Sequence, residues 1–199
     1  MKIFLKKTIN KVSFLFKKFI LNKFYKCKIQ SNCQIAFNTT VKNSILEGQN
    51  KVGNFSKIET SKLGLYTYCG EFCRLQNVDI GKFVSIGSNV KTCFGTHPFN
   101  QEKMHPAFYN PDWKPSSLTK KRYFNNEHKY VYNNYTVKIE DNVWIGDDVN
   151  ILDGVVIKTG AIIGANSQVR SSIPENAIAY GYPAKIVGYR KIESPQLHS

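Results

Sequence analysis

No acidic residue occurs before Glu47, although the first 46 residues hold ten lysines. The net charge of +14 is therefore lopsided, with only +4 left once those ten are set aside. That distribution speaks against a nucleic-acid-binding surface on the body of the chain, and no recognition helix or RNA-binding motif is present. A C-x2-C pair is also missing. The five cysteines, at 27, 33, 69, 73 and 93, form an odd set whose spacing suggests neither a disulfide framework nor a zinc site. Cys69 and Cys73 fall where small interior residues are needed, so packed thiols in a reducing cytosol are the expectation. Long apolar runs are absent from the N-terminal segment, where the longest are three residues, 14–16 and 19–21 among them. Those are too short for a membrane span or a signal-peptide core, and no small-residue cleavage site follows. A Gly-rich phosphate loop and a dinucleotide fingerprint are lacking too, which leaves ATP or NAD unsupported as donors.

What remains is a chain of 199 residues, 42% hydrophobic and 13% aromatic, which suits one globular domain with a short appendage. Three segments are expected: a basic amphipathic N-terminal segment (residues 1–30), a main domain (31–190) containing a loop at 97–137, and a tail (191–199). In the first, Leu5, Ile9, Val12, Phe16, Phe19 and Ile20 recur at helical spacing and form one apolar stripe, with Lys6, Lys7, Lys11, Lys17 and Lys18 on the other side. Phe14 and Leu21 fall off the stripe. Such a helix suits an anionic membrane surface, which residues 1–24 would contact peripherally from the cytoplasmic face. It equally suits packing on its own domain or on a partner subunit.

The strongest pattern is a period of six. An aliphatic residue returns at Ile139, Ile145, Ile151, Ile157, Ile163 and Val169. Two residues before each of the later five stands a second apolar or small side chain: Val143, Val149, Val155, Ala161 and Ser167, with Ile173 closing the series. Residues two apart on a strand share a face, so each six-residue unit is a very short strand with two inward side chains, followed by a turn. Gly146, Gly154, Gly160 and Gly164 lie near those turns and are read as their source of backbone freedom. An earlier block, Val52, Ile58, Leu63, Cys69, Leu75, Ile80 and Ile86, repeats the scheme with two five-residue steps. Three sides close a triangular coil of about 18 residues, and no coil buries its inner face alone, so the coils must stack. The fold class predicted is all-β: a left-handed parallel β-helix, a hexapeptide-repeat solenoid, with a long excursion loop and a short N-terminal amphipathic helix.

Several segments then carry a resemblance: Leu63-Gly-Leu-Tyr-Thr-Tyr68, Asn77-Val-Asp-Ile-Gly-Lys-Phe-Val-Ser-Ile-Gly87, Gly95-Thr-His-Pro98, Asp141-Asn-Val-Trp-Ile-Gly146, Ile163-Gly-Ala165 and Gly181-Tyr-Pro-Ala-Lys185. In this order and spacing, over roughly residues 33–190, the chain resembles the hexapeptide-repeat acyltransferases. The likeness is greatest to the branch of xenobiotic and capsule or lipopolysaccharide O-acetyltransferases. The resemblance implies a homotrimer with active sites between subunits and acetyl-CoA as co-substrate.

Between the two blocks the period lapses for roughly forty residues, from His97 to about Val137. A loop of that length inside a solenoid is usually functional. Its many aromatic side chains could pack as a satellite core or offer faces to sugar rings. His97 stands where the chain leaves the solenoid. A hydroxyl is a weak nucleophile at neutral pH, and neutral imidazole is a suitable base for its attack on a thioester. The resemblance places the family's catalytic histidine here. Glu102 is a candidate to orient it. Phe99, His105 and Asn77 are candidates for contacting the acceptor, and solvent exposure is the plain alternative for His105 and His128.

Strand geometry points Trp144 outward, between inward Val143 and Ile145. Ile162 and Tyr180 follow at steps of 18 and should stack beneath it as an outward apolar column, a contact surface. The resemblance assigns such a face to the trimer interface and the pantetheine groove, with Trp144 and Ala165 against the cofactor. It places Arg170 and Lys185 near the nucleotide phosphates, which attract cations. Relatives often carry Thr-Lys-Asp where this chain has Arg170-Ser171-Ser172, a departure that bears on the nucleotide contacts. The function expected is an acetyl-CoA-dependent O-acetyltransferase acting on a saccharide hydroxyl of a capsule, lipopolysaccharide or lipid-linked glycan. Antibiotic O-acetylation is the alternative with the same chemistry, and a non-catalytic membrane-associated scaffold a third reading. No metal is expected: a zinc enzyme on this coil needs three histidines around a subunit interface, whereas His97, His105 and His128 share one loop.

Overall fold

The computed structural model describes residues 26–125 and 127–192. The amphipathic helix expected over the first segment therefore lies outside the described residues, as does the chain from 193 onward. Among the described residues no helix is long and apolar enough to cross a membrane.

The described chain is a parallel β-helix of very short strands on three faces, as the period of six requires. The first face stacks Lys28–Ile29, Ile45–Leu46, Lys62–Leu63, Val78–Ile80, Val137–Ile139 and Val155–Ile157. The second runs from Gln34–Ile35 through Ser85–Ile86, Trp144–Ile145 and Ile162–Ile163 to Ala177–Gly181. On the third lie Thr40–Lys42, Lys57–Glu59 and Arg74–Gln76, then Asn150–Ile151 and Gln168–Val169, with Lys91 bridging Arg74 to Asn150. The solenoid thus already includes Lys28–Ile29, which the sequence reading had placed in the N-terminal segment. At the far end Ala184–Tyr189 folds back antiparallel on Ala177–Gly181 and covers the edge that the last coil leaves open.

Register explains both kinds of step in the sequence. Before the excursion Ile45 pairs with Lys62 and Lys62 with Asp79, so each coil is one residue shorter than the coil that pairs Lys138 with Val156. The excursion leaves at one corner and returns without disturbing the ladder, since Val78 pairs directly with Val137 and Ser85 with Trp144. The loop begins earlier than the sequence suggests, around Cys93, and regular pairing resumes at Val137.

Every inward position named from the sequence is buried. Leu63, Ile80, Ile139 and Ile157 form one in-register stack, and Cys69, Ile86, Ile145 and Ile163 another, all at most 1% exposed. Each apolar side chain sits between copies of itself one coil above and below, so all contribute to one continuous core. Cys69 and Cys73 are buried free thiols, as expected. Buried hydroxyls and amides are satisfied by the adjacent coil. Thr67 Oγ1 donates to the Gly81 carbonyl at 2.7 Å and accepts from the Val84 N–H at 3.1 Å. Asn50 Nδ2 donates to the carbonyls of Gly64 and Thr67.

The corners differ from the expectation. Gly154 and Gly160 adopt positive φ, at 84° and 71°, but Gly146 and Gly164 do not. Gly146 is needed instead for close approach, because a Cβ there would lie 2.6 Å from the Ala165 nitrogen. Most left-handed corners are held by other residues, including Asn43, Asn89, Asn142 and Asn166, whose short polar side chains tolerate that conformation. Phe55, Phe72, Tyr66 and Phe83 also adopt it, with φ between 57° and 61°. Successive rings stack there, Phe55 on Phe72 at 5.1 Å and Tyr66 on Phe83 at 5.5 Å, which offsets part of the strain.

Candidate active site

The excursion brings His97 to the surface on an anchored segment. Pro98, next in the chain, is buried while His97 itself is exposed. The Thr96 N–H donates to the Glu127 carbonyl at 2.6 Å, which ties the outgoing strand to the returning one. His97 Nδ1 lies 3.0 Å from the Tyr109 hydroxyl. Tyr109 is only 1% exposed, sits edge-on to Phe124 at 5.5 Å, and accepts the Tyr123 N–H at its carbonyl. Burial, aided by the Glu127 charge, pushes its phenol above the ordinary value, so it stays protonated at neutral pH. A phenol can donate to Nδ1 or accept from Nδ1–H; the second arrangement leaves Nε2 free to take a proton, which is what a general base at His97 needs. The observed partner is Tyr109 in place of the expected Glu102, which is exposed. Nothing in the spacing of Tyr109, twelve residues downstream, marked it out.

The other loop candidates separate. Phe99 is 83% exposed beside His97. His105 caps the short 3-10 helix Pro106–Phe108, its Nδ1 accepting from the Ala107 N–H at 3.2 Å, and its ring packs edge-on to Trp113. Its described contacts therefore support the loop. Asn77 directs its amide at Cys93, with Nδ2 donating to Sγ at 3.3 Å. His128, for which exposure was the plain reading, is partly buried and bonded through Nδ1 to Asp153 at 2.7 Å.

A separate groove of about 420 Å³ runs along the second face. Tyr68, Ser85, Trp144 and Ile162 form its floor in register, and Gly146, Gly164 and Ala165 lie along one side. Trp144 is 57% exposed, as outward geometry requires. The column below it needs one correction. Ile162 pairs with Ile178, because the last coil is two residues shorter than a step of 18. Tyr180 faces the same side farther along the strand, with its Cβ over Gly164. Lys185 pairs with Tyr180 on the terminal hairpin, at that end of the groove. Arg170 is exposed just beyond the third-face strand Gln168–Val169, so it does not share the face that carries Trp144. Tyr68, part of the floor and 46% exposed, is not among the sequence candidates, although its place directly before inward Cys69 could have indicated an outward side chain.

Comparison with known proteins supports this architecture. Residues 136–171 match the family described as bacterial transferase hexapeptide (six repeats). A protein of Escherichia coli K12 named for O-acetyl transfer in lipopolysaccharide biosynthesis is 51% identical over 51 residues, 26% of each chain. Galactoside O-acetyltransferase of Lactococcus lactis is 32% identical over 111 residues, 55% of this chain and 42% of that one. The chain spans less than half the length of these curated relatives. A solved maltose O-acetyltransferase of Clostridium difficile superposes with a TM-score of 0.56 at 20% identity, covering 88% of this chain and 75% of the other, and shows the fold. By its repeat, its solenoid and these relatives, the chain is similar to the hexapeptide-repeat acyltransferases.

Proposed function

We propose that this protein is an O-acetyltransferase that moves the acetyl group of acetyl-CoA to a saccharide hydroxyl, with His97 as general base. The observation that carries the reading is the exposed imidazole of His97, held through Nδ1 by a buried phenol 3.0 Å away at the root of an aromatic loop. The names of the galactoside and lipopolysaccharide relatives support a sugar acceptor.

In this reading Nε2 of His97 takes the proton of the acceptor hydroxyl as its oxygen attacks the thioester carbonyl carbon. The tetrahedral adduct collapses by breaking the carbon–sulfur bond. The departing CoA thiolate recovers the proton from the imidazolium, leaving the O-acetyl sugar and CoA thiol. Removing the base from such a step costs about 10²–10⁴-fold. The pantetheine arm is assigned to the second-face groove, against Trp144 and the backbone at Ala165. The exposed cations Lys185 and Arg170 are assigned to the phosphates, Lys185 with the stronger support because it lies at the groove's end. Phe99 offers an apolar ring to the sugar. A homotrimer, with each cleft completed by a neighbour's loop, is part of the proposal.

The test is acetyl-CoA turnover on a panel of sugar acceptors, read as thiol release. His97→Ala is expected to lower kcat by at least about 100-fold with assembly unchanged in sedimentation. Near-normal turnover of that variant on the same acceptor rules out His97 as the base.

A further inference from the structure

Three donors that the sequence keeps apart meet at the neck of the excursion. Cys93 ends the last regular coil before the loop, His128 lies on its returning limb, and Asp153 belongs to the solenoid corner after Asn150–Ile151. Their ligand atoms all lie within 4.8 Å of one another. His128 Nδ1 is 2.7 Å from Asp153 Oδ2 and 3.8 Å from Cys93 Sγ, so one ring nitrogen faces both of the other donors.

Each donor is also held from behind. Asn77 Nδ2 donates to Cys93 Sγ at 3.3 Å, the kind of contact that supports a metal-bound thiolate. The Phe94 N–H donates to Asp153 Oδ1 at 3.0 Å, which fixes the carboxylate and turns Oδ2 toward the imidazole. Gly95 lets the outgoing strand pass close to the ring, since a Cβ there would lie 2.9 Å from both the Glu127 carbonyl and His128 Cε1. Cys93 itself has φ 65° at the corner where the loop leaves the solenoid, a conformation uncommon for a non-glycine residue.

We propose that Cys93, His128 and Asp153 bind one zinc ion. A thiolate, a neutral imidazole and a carboxylate make a donor set that favours Zn²⁺ over the oxygen-seeking Mg²⁺ or Ca²⁺. Two negative charges balance the cation. In a tetrahedral site the sulfur–nitrogen edge is about 3.6 Å and the nitrogen–oxygen edge about 3.3 Å, from metal–ligand distances of roughly 2.0–2.3 Å. The observed 3.8 Å needs almost no change, and the 2.7 Å hydrogen bond opens by a fraction of an ångström as the ion replaces its proton. The side chain of Asp153 is 9% exposed and that of His128 30%, so the ion enters from the solvent side, where a water completes the set. The ion would pin both limbs of the loop to the solenoid, four residues before His97. This inference is independent of the acyl acceptor.

The full chain, stripped with a chelator, is titrated with Zn²⁺ against a chromophoric competitor and, in parallel, with Co²⁺. One ion per chain and a sulfur-to-Co²⁺ charge-transfer band are expected. Cys93→Ser should remove the band, and Cys93→Ser and His128→Gln should each weaken Zn²⁺ binding by at least about 100-fold. His105→Gln should bind as the unaltered protein does. Absence of the band in the unaltered protein overturns the proposal, as does retention of full affinity by Cys93→Ser. The band in the unaltered protein decides the matter even where a substituted chain fails to fold.

Discussion

Tyr109 illustrates how much of a site rests on one buried residue. Its hydroxyl makes a single contact with His97 at 3.0 Å, and that contact fixes the orientation of the ring. A typical hydrogen bond contributes about 1–1.5 kcal/mol, which corresponds to roughly tenfold in rate. Tyr109→Phe keeps the packing against Phe124 and removes only the hydroxyl. Its expected outcome is a fall in kcat of about tenfold with KM and melting temperature unchanged. A drop in melting temperature with unchanged kcat would assign Tyr109 to loop packing alone. At this scale the sequence marked out His97, the proposed base, but not its partner. His97 stands in a recognisable motif, whereas Tyr109 is one aromatic among many in the loop, selected only by burial. His128 is the same case. A histidine and an aspartate 25 residues apart carry no periodic relation, and only the closed neck of the loop makes them neighbours.

At the level of the strand and its corner, the period of six was fully legible because each inward side chain repeats in register. Ile139, Ile145, Ile151, Ile157 and Ile163 are all at most 1% exposed. The corners were less legible, since several residue types satisfy the same backbone conformation. Asn, Phe, Tyr and Gly all occupy left-handed corners here, so composition alone did not mark them. Gly146 shows the other use of glycine. Its φ is ordinary, but the neighbouring coil approaches so closely that a methyl group would strike the backbone at Ala165. Gly146→Ala is expected to destabilise the fold by about 1–3 kcal/mol, seen as a lower denaturation midpoint with an unchanged m-value. The same substitution raises the KM for acetyl-CoA if the pantetheine arm lies in the second-face groove, because Gly146 and Ala165 form one side of it.

Across the whole molecule, charge and chemistry divide along the chain. The ten lysines before Glu47 contrast with a body that carries a formal charge of only +4. Clustered cations of this kind gain about 1 kcal/mol each near an anionic bilayer. Deleting residues 1–24 is therefore expected to abolish co-sedimentation with anionic liposomes while leaving turnover on a soluble acceptor intact. Undiminished co-sedimentation would place any membrane contact on the solenoid. The sequence by itself determined the solenoid, its inward faces, the outward place of Trp144 and the position of His97, because each follows from a short repeat or a local motif. Tertiary structure alone decided that Tyr109 orients His97, that Ile178 continues the Trp144 column, and that Cys93, His128 and Asp153 converge. Those relations depend on how a forty-residue loop closes and on where a coil is shortened. Such distances are set by packing between segments with no shared period.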